Sequence, residues 1–210
     1  MHFNLSSPLW QFVDTCVRFS LLNLLFLLTL IPIVTIGPAR AALYSTLYAY
    51  NSHEDINLGK EYLKRFRKEF LSAIGMSVII TTAAAATFFA LAFWNSLDSN
   101  TAYIGTPVLL LAGMVILLTF EMYYPLQARY ANTFIRTLRN TLMLPWYSFG
   151  CTLALLSIDI IAIAVFVYAP WSRFIFVLLG CAWVAYVKSL IYLRLFNQIG
   201  DAAKTSHAAS

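Results

Sequence analysis

The stretch Leu71–Trp94 carries no charged residue, and that sets the medium in which the chain folds. About 20 helical residues cross the hydrocarbon of a bilayer, so an apolar run of this kind reads as a membrane span. Three more stretches qualify: Tyr103–Phe120, closed by Glu121; Pro145–Ala169, holding Asp159; and Trp171–Ile191, with Arg173 near one end and Lys188 near the other. A fifth, Phe19–Val34 (FSLLNLLFLLTLIPIV), is short and reaches span length only if Phe12–Arg18 joins its helix. Charged residues make up 11% of the 210, against roughly 25% in soluble domains. A free cytosolic enzyme and a nucleic-acid-binding domain are excluded on that ground.

The first apolar segment also has the position of a signal peptide, but it lacks a positive cluster before it and runs straight into Pro32 and Gly37–Pro38. It is read as a span. Loop cations then orient the bundle, because Lys and Arg resist translocation. All of them except Arg18 and Arg173 fall between spans one and two, between three and four, or at and beyond the end of five. That side is expected to be cytoplasmic. Five crossings put the C-terminus inside and the N-terminus outside, unless the first segment dips without crossing. Trp94, Tyr103, Tyr168 and Trp171 are expected as anchors at the outer boundary, and Tyr123, Tyr124, Trp146 and Tyr147 at the inner one.

Two cytoplasmic connections are long enough for helices, and the first opens with Ala39–Tyr50 (ARAALYSTLYAY), rich in helix formers, before a turn at Asn51–Gly59. In Lys60–Phe70 the side chains Tyr62, Leu63, Phe66 and Phe70 share one face, while Lys60, Lys64, Arg67 and Lys68 spread over the other, with Arg65 between. Gln127–Asn140 places Tyr130, Phe134, Ile135 and Leu138 on one face, with Arg129, Arg136 and Arg139 elsewhere. Both are expected to lie in the inner headgroup layer as basic amphipathic helices. The expected fold is therefore an all-α polytopic membrane bundle: about five transmembrane helices plus two amphipathic helices on the cytoplasmic face. Residues 1–200 form a single integral membrane domain, and 201–210 a flexible polar tail.

No motif for catalysis, metal or cofactor binding occurs. Cys16, Cys151 and Cys181 are isolated, and His2, His53 and His207 lack ligand spacing. There is no phosphate-cradling glycine loop, no G-x-S-x-G and no H-E-x-x-H. The chain reads as a non-enzyme without a cofactor. Its out-of-place residues are the intramembrane polar ones, Asn23, Asp159 and Lys188, since charge in hydrocarbon is expensive. Asp159 has three readings: an internal pair holding the bundle, a contact with a partner subunit, or a substrate or proton site. Glu121, nearer the inner boundary, is read as a partner for Arg129 or another basic helix residue. On span two, Ala73, Ser77, Ala84 and the run Thr81–Thr87 offer small surfaces for close helix approach.

The most specific string is NLLFLLTLIPIVTIGPARAALY, Asn23–Tyr44. Pro32 has no N–H and Gly37–Pro38 breaks the helix again, so the backbone turns sharply here. Thr35 is placed to cap freed amides, and Pro38 suits the first turn of a following helix. This elbow (Pro32, Thr35, Gly37, Pro38, Arg40, Tyr44) is a candidate partner contact.

The same run resembles the YesL-like family of bacterial integral membrane proteins, through Asn23, Leu24, Pro32, Thr35, Gly37, Pro38, Ala39, Ala42, Leu43 and Tyr44. A weaker match is Phe66–Phe70 (FRKEF), where the family more often shows Asn at the position of Glu69. The resemblance implies a role beside carbohydrate ABC importers in the bacterial cytoplasmic (inner) membrane. The protein would be a non-catalytic accessory subunit or assembly or regulatory factor, with permease subunits and their ATPase as partners. The residues leave open a small independent transporter using Asp159, or a membrane-bound sensor.

Overall fold

The computed structural model describes residues 8–52, 56–96, 102–130 and 133–208, and every regular element among them is helical. Helix α1 (Pro8–Leu30) leads through a 3₁₀ turn (Ile33–Thr35) into α2 (Ile36–Ser52). Then follow α3 (Leu58–Asn95), α4 (Ala102–Arg129), α5 (Phe134–Tyr147) and α6 (Phe149–Tyr168). The last rod is α7 (Ser172–Ile175), a π-helical stretch Phe176–Gly180, and α8 (Cys181–Ala208), joined end to end. Five segments are long and apolar enough to cross a membrane: Trp10–Leu30, Leu58–Asn95, Gly105–Arg129, Phe149–Tyr168 and Ser172–Gly200. They coincide with the five expected spans, the first gaining its length from the turns before Phe19. The fold is the expected all-α polytopic bundle.

Side-chain contacts give each helix a direction. Phe19 stacks edge-on against Trp183 and Tyr186, while Asn23 reaches Phe176 and Val177, so α1 runs antiparallel to the last rod. Phe19 also meets Tyr50, which closes α1 and α2 into a hairpin around the Pro32 elbow. Ser45 bonds Arg65 and Gly37 bonds Ser77, making α3 antiparallel to α2. Trp94 sits on Gly105 and Ser72 on Gln127, making α4 antiparallel to α3. Asp159 meets Lys188 and Phe166 meets Phe176, so α6 opposes the last rod. Six helices therefore alternate in direction, with α2 the one that hydropathy passes over. The expectation that five crossings leave the termini on opposite sides is corrected. The start of α1 lies at the same end of the bundle as the finish of α8.

Helix α2 is the helix expected after Pro38, and IGPARAALYSTLYAYNS is too polar for a span; what differs is that eleven of its residues, Gly37–Ala39 and Ala41–Tyr48, are buried. Its environment is protein rather than lipid. The core surrounds it: Tyr62, Tyr123, Tyr124, Tyr192 and Phe196 are fully enclosed. All buried residues of α3 stop at Ile80, and on α6 only Thr152 and Leu155 are buried. The core thus fills the basic end of the bundle, and the other end splays.

Several expected details change. Lys60–Phe70 is not a separate in-plane helix. Nothing between Lys60 and Leu71 breaks a helix, so the segment continues into the span as one helix of 38 residues. At 1.5 Å per residue that is about 57 Å, nearly twice the ~30 Å hydrocarbon. Asn57 caps its start, its side chain accepting the Lys60 N–H at 3.1 Å. Of its apolar face Tyr62 is buried, its hydroxyl bonded to Thr29 of α1, and Phe66 packs on the core, whereas Leu63 is exposed. The second amphipathic helix does exist, as α5, after α4 has taken Gln127–Arg129. Ile135, Leu142 and Trp146 stand exposed on one side of α5 while Thr137 and Thr141 turn inward, as suits a helix with an apolar face toward lipid. Tyr123 and Tyr124 are core residues rather than interfacial anchors, whereas Trp146, Tyr147, Tyr168 and Trp171 are exposed as anchors require. The polar tail continues α8 as a helix to Ala208, because Ala202, Ala203 and Lys204 favour helix; residues 209–210, like His2 and His53, lie outside the described residues.

The hairpin makes a direct prediction. Compartment-sensitive reporters fused before Met1 and after Ser210 will give the same signal, matching one inserted beside Arg136 in the α5 segment. Opposite signals from the two termini would show that α1 and α2 do not form a closed hairpin in the membrane.

Candidate functional site: a buried charge cluster

Ala-rich sequence makes α2 a good helix, and Pro38 sits in its first turn, where a missing N–H costs nothing. Gly37 lets the helix start come close to its neighbours. Its N–H donates to Ser77 Oγ at 3.2 Å, and a Cβ there would lie 2.7 Å from the Tyr124 ring and 2.8 Å from Ser77 Cβ. One turn later this close approach delivers Arg40 to α4. Its guanidinium donates to Glu121 Oε2 at 3.0 Å and lies 4.2 Å from the centre of the Phe120 ring, a cation–π geometry.

Glu121 is the hub. Besides Arg40 it pairs with Lys188, and its Oε1 accepts the Tyr192 hydroxyl at 2.6 Å. Lys188 in turn donates to both oxygens of Asp159, at 2.7 and 2.8 Å. The two cations and two anions, drawn from α2, α4, α6 and α8, sum to zero formal charge. Desolvating an ion costs several kcal/mol even after relaxation, so the mutual pairing is what lets these groups stay inside. Lys188 and Glu121 side chains are 3% and 5% exposed, but Asp159 is 34% exposed. Its open side faces a cavity of about 250 Å³ shared with Phe26, Tyr44 and Phe176. Chemically, the cluster clamps four helices and offers one accessible carboxylate at its edge. No group of three or more His, Cys, Asp or Glu able to hold a metal ion occurs among the described residues.

Asn23 does not join this cluster. It is fully buried and bridges the π-helical stretch: its Nδ2 donates to the carbonyls of Phe176 (3.1 Å) and Val177 (2.7 Å), and its Oδ1 accepts the Ala182 N–H at 2.8 Å. A π insertion disturbs the regular ladder of backbone bonds, and here one carboxamide serves the loosened groups.

The other expected residues are placed as follows. In the elbow, Pro32 is exposed beside Ile31, Ile33 and Val34, whereas Gly37, Pro38 and Tyr44 are buried within the chain. Thr35 caps no amide; its hydroxyl donates to the carbonyls of Thr29 (2.6 Å) and Pro32 (2.7 Å), tying the turn to the end of α1. Lys64, Arg67, Lys68, Arg129, Arg136 and Arg139 are exposed, and Arg65 is held by Glu61 and Ser45. Glu121 takes Arg40 and Lys188 as partners, not Arg129, because its helix face is turned into the bundle. Tyr192 was not foreseen; a lone Tyr in an apolar helix carries no signal of its target.

Residues 19–91 match the model of a family described as "Protein of unknown function, DUF624". This is the YesL-like family, so the resemblance read from Asn23–Tyr44 extends over α2 and most of α3. The matched part holds Arg40 but not Glu121, Asp159 or Lys188. No match was found among characterised proteins or among solved structures.

Two variant sets test the cluster and the bridge. Glu121→Gln or Lys188→Met alone should cost about 3–5 kcal/mol of stability, since each strands buried charge. The double variant, losing one charge of each sign, should be more stable than the sum of the two by about 0.5–3 kcal/mol, read from unfolding in mild detergent. Asn23→Ala should cost about 1–3 kcal/mol by leaving buried backbone groups unpaired, with protection from hydrogen exchange lost first at Phe176–Ala182.

Proposed function

We propose that this protein is a non-catalytic accessory membrane subunit, or an assembly or regulatory factor, of a carbohydrate ABC import system in the bacterial inner membrane. It would pack against permease subunits, with its C-terminus and basic end on the cytoplasmic side, where the ATPase works. The observation that carries the packing part of this reading is the open end of the α3–α4 hairpin. Between Ile80 and the contact of Trp94 with Gly105 the two helices border a groove of about 440 Å³ lined by Thr81, Ala84, Thr87 and Gly113, among others. Ala84, Ala85 and Ala86 are exposed, next to Phe88 and Phe89. Small side chains let a helix of another protein approach closely, as membrane helix pairs require. The importer itself enters through the family resemblance, an associational warrant.

The mutual compensation of Arg40, Glu121, Lys188 and Asp159 supports a scaffold over a pump, since a transport site needs a charge that changes partners. The exposed edge of Asp159 favours, as a second reading, a small independent transporter.

One experiment separates these. Tagged protein solubilised from cells expressing the importer should bring permease subunits with it, and Ala85→Trp on the exposed α3 face should reduce that yield several-fold without changing its own expression. Purification free of permeases from membranes whose importer stays intact would remove the accessory reading. Reconstituted alone, the protein should drive no flux; a pH-dependent flux abolished by Asp159→Asn would establish the transporter instead.

A further inference from the structure

A cavity opens at the basic end, away from the charge cluster. It has a volume of about 580 Å³ and lies between α2, α3, α4 and α5. Three cations line it, Arg65, Lys68 and Arg129, against one acid, Glu69. Arg65 is fixed by Glu61 and Ser45, and Glu69 accepts from the Ser72 hydroxyl at 3.3 Å. Lys68 and Arg129 form no ion pair among the described residues. Gln127 in the same wall donates to Ser72 Oγ at 2.9 Å, and its Oε1 is buried without a hydrogen-bond partner among the described residues. Tyr123 and Phe134, rings 6.3 Å apart, give the cavity an apolar side.

Depth fixes what can reach it. The cavity lies where the apolar run of α3 begins at Leu71 and that of α4 has ended, which is headgroup level. A cavity there with two unpaired cations and a net charge of about +2 attracts phosphate, which accepts from Lys and Arg together. Basic pockets between membrane helices at this level take lipid headgroups. The spare acceptor on Gln127 suits a hydroxyl carried beside the phosphate. We propose that this cavity binds a phosphate ester of a polyol, held by Lys68 and Arg129. Two sources share that chemistry: the headgroup of an anionic phospholipid such as phosphatidylglycerol, and a free phosphorylated polyol. The proposal does not depend on the importer reading.

The test uses the full chain in neutral detergent after delipidation, with thermal unfolding as readout. Phosphatidylglycerol, phosphatidylcholine and glycerol 3-phosphate are the probes. The variants are Lys68→Gln with Arg129→Gln, and, as a control on exposed α5 positions outside the cavity, Arg136→Gln with Arg139→Gln. A ligand that binds the folded state alone raises Tm with concentration. A rise with phosphatidylglycerol only, kept in the control and at least halved in the cavity variant, assigns the lipid. A rise with glycerol 3-phosphate of the same variant dependence assigns the soluble ester. Equal rises in the native and cavity-variant proteins, an equal rise with phosphatidylcholine, or no rise with any probe would overturn the proposal.

Discussion

An arginine placed on a helix that has almost no exposed surface must be neutralised where it stands. Arg40 is that residue, and the rest of the bundle is arranged around answering it. Glu121 comes from α4 to meet it, which gives Glu121 a second valence for Lys188, which in turn holds Asp159 on α6. Four helices, α2, α4 and α8 running one way and α6 the other, are thereby registered by a chain of charges rather than by apolar packing alone. In hydrocarbon apolar packing between helices lacks the driving force it has in water, so polar pairing carries more of the specificity.

The same constraint explains where the core lies. Tyr44, Tyr192 and Phe196 pack around the charges, and Tyr192 also serves as donor to Glu121. The remainder of α3, α4 and α6 presents Leu, Ile, Val and Phe outward. In lipid that outward surface costs little, so the far end of the bundle can stay open without instability, and the surface remains free for other membrane helices.

How much of this could be read from the residues divides along physical lines. The spans could, because the bilayer imposes one length and one polarity on every crossing helix, and α3, α4, α6 and α8 answer to both. Asp159 and Lys188 stood out for the same reason, as charges in apolar runs. Helix α2 was legible as a helix after Pro38 but not as a buried one, because a helix shielded by other helices escapes the rule that lipid enforces; Arg40 and Tyr48 mark it as a surface segment when judged by polarity. Glu121 was visible as the end of an apolar stretch, but its partners depended on the hairpin of α1 and α2, a tertiary fact. The continuity of Lys60–Phe70 with the span was hidden by the change in composition at Leu71, although nothing there stops a helix. The family match over residues 19–91 covers this hairpin and α3, the part of the chain where hydropathy alone misleads.

The polarity of α2 also sets an order of assembly. A segment carrying Arg40 in its second turn is poorly suited to enter the bilayer alone, since an arginine costs an inserting helix up to about 2.5–3.5 kcal/mol, the value at its centre. Its counter-charge Glu121 is synthesised some eighty residues later, and Lys188, the second cation on that carboxylate, some hundred and fifty. Until α4 emerges, α2 belongs at the surface of the membrane beside the positive headgroup flank of α3. A helix made early thus meets its buried counter-charge only once α4 has followed it.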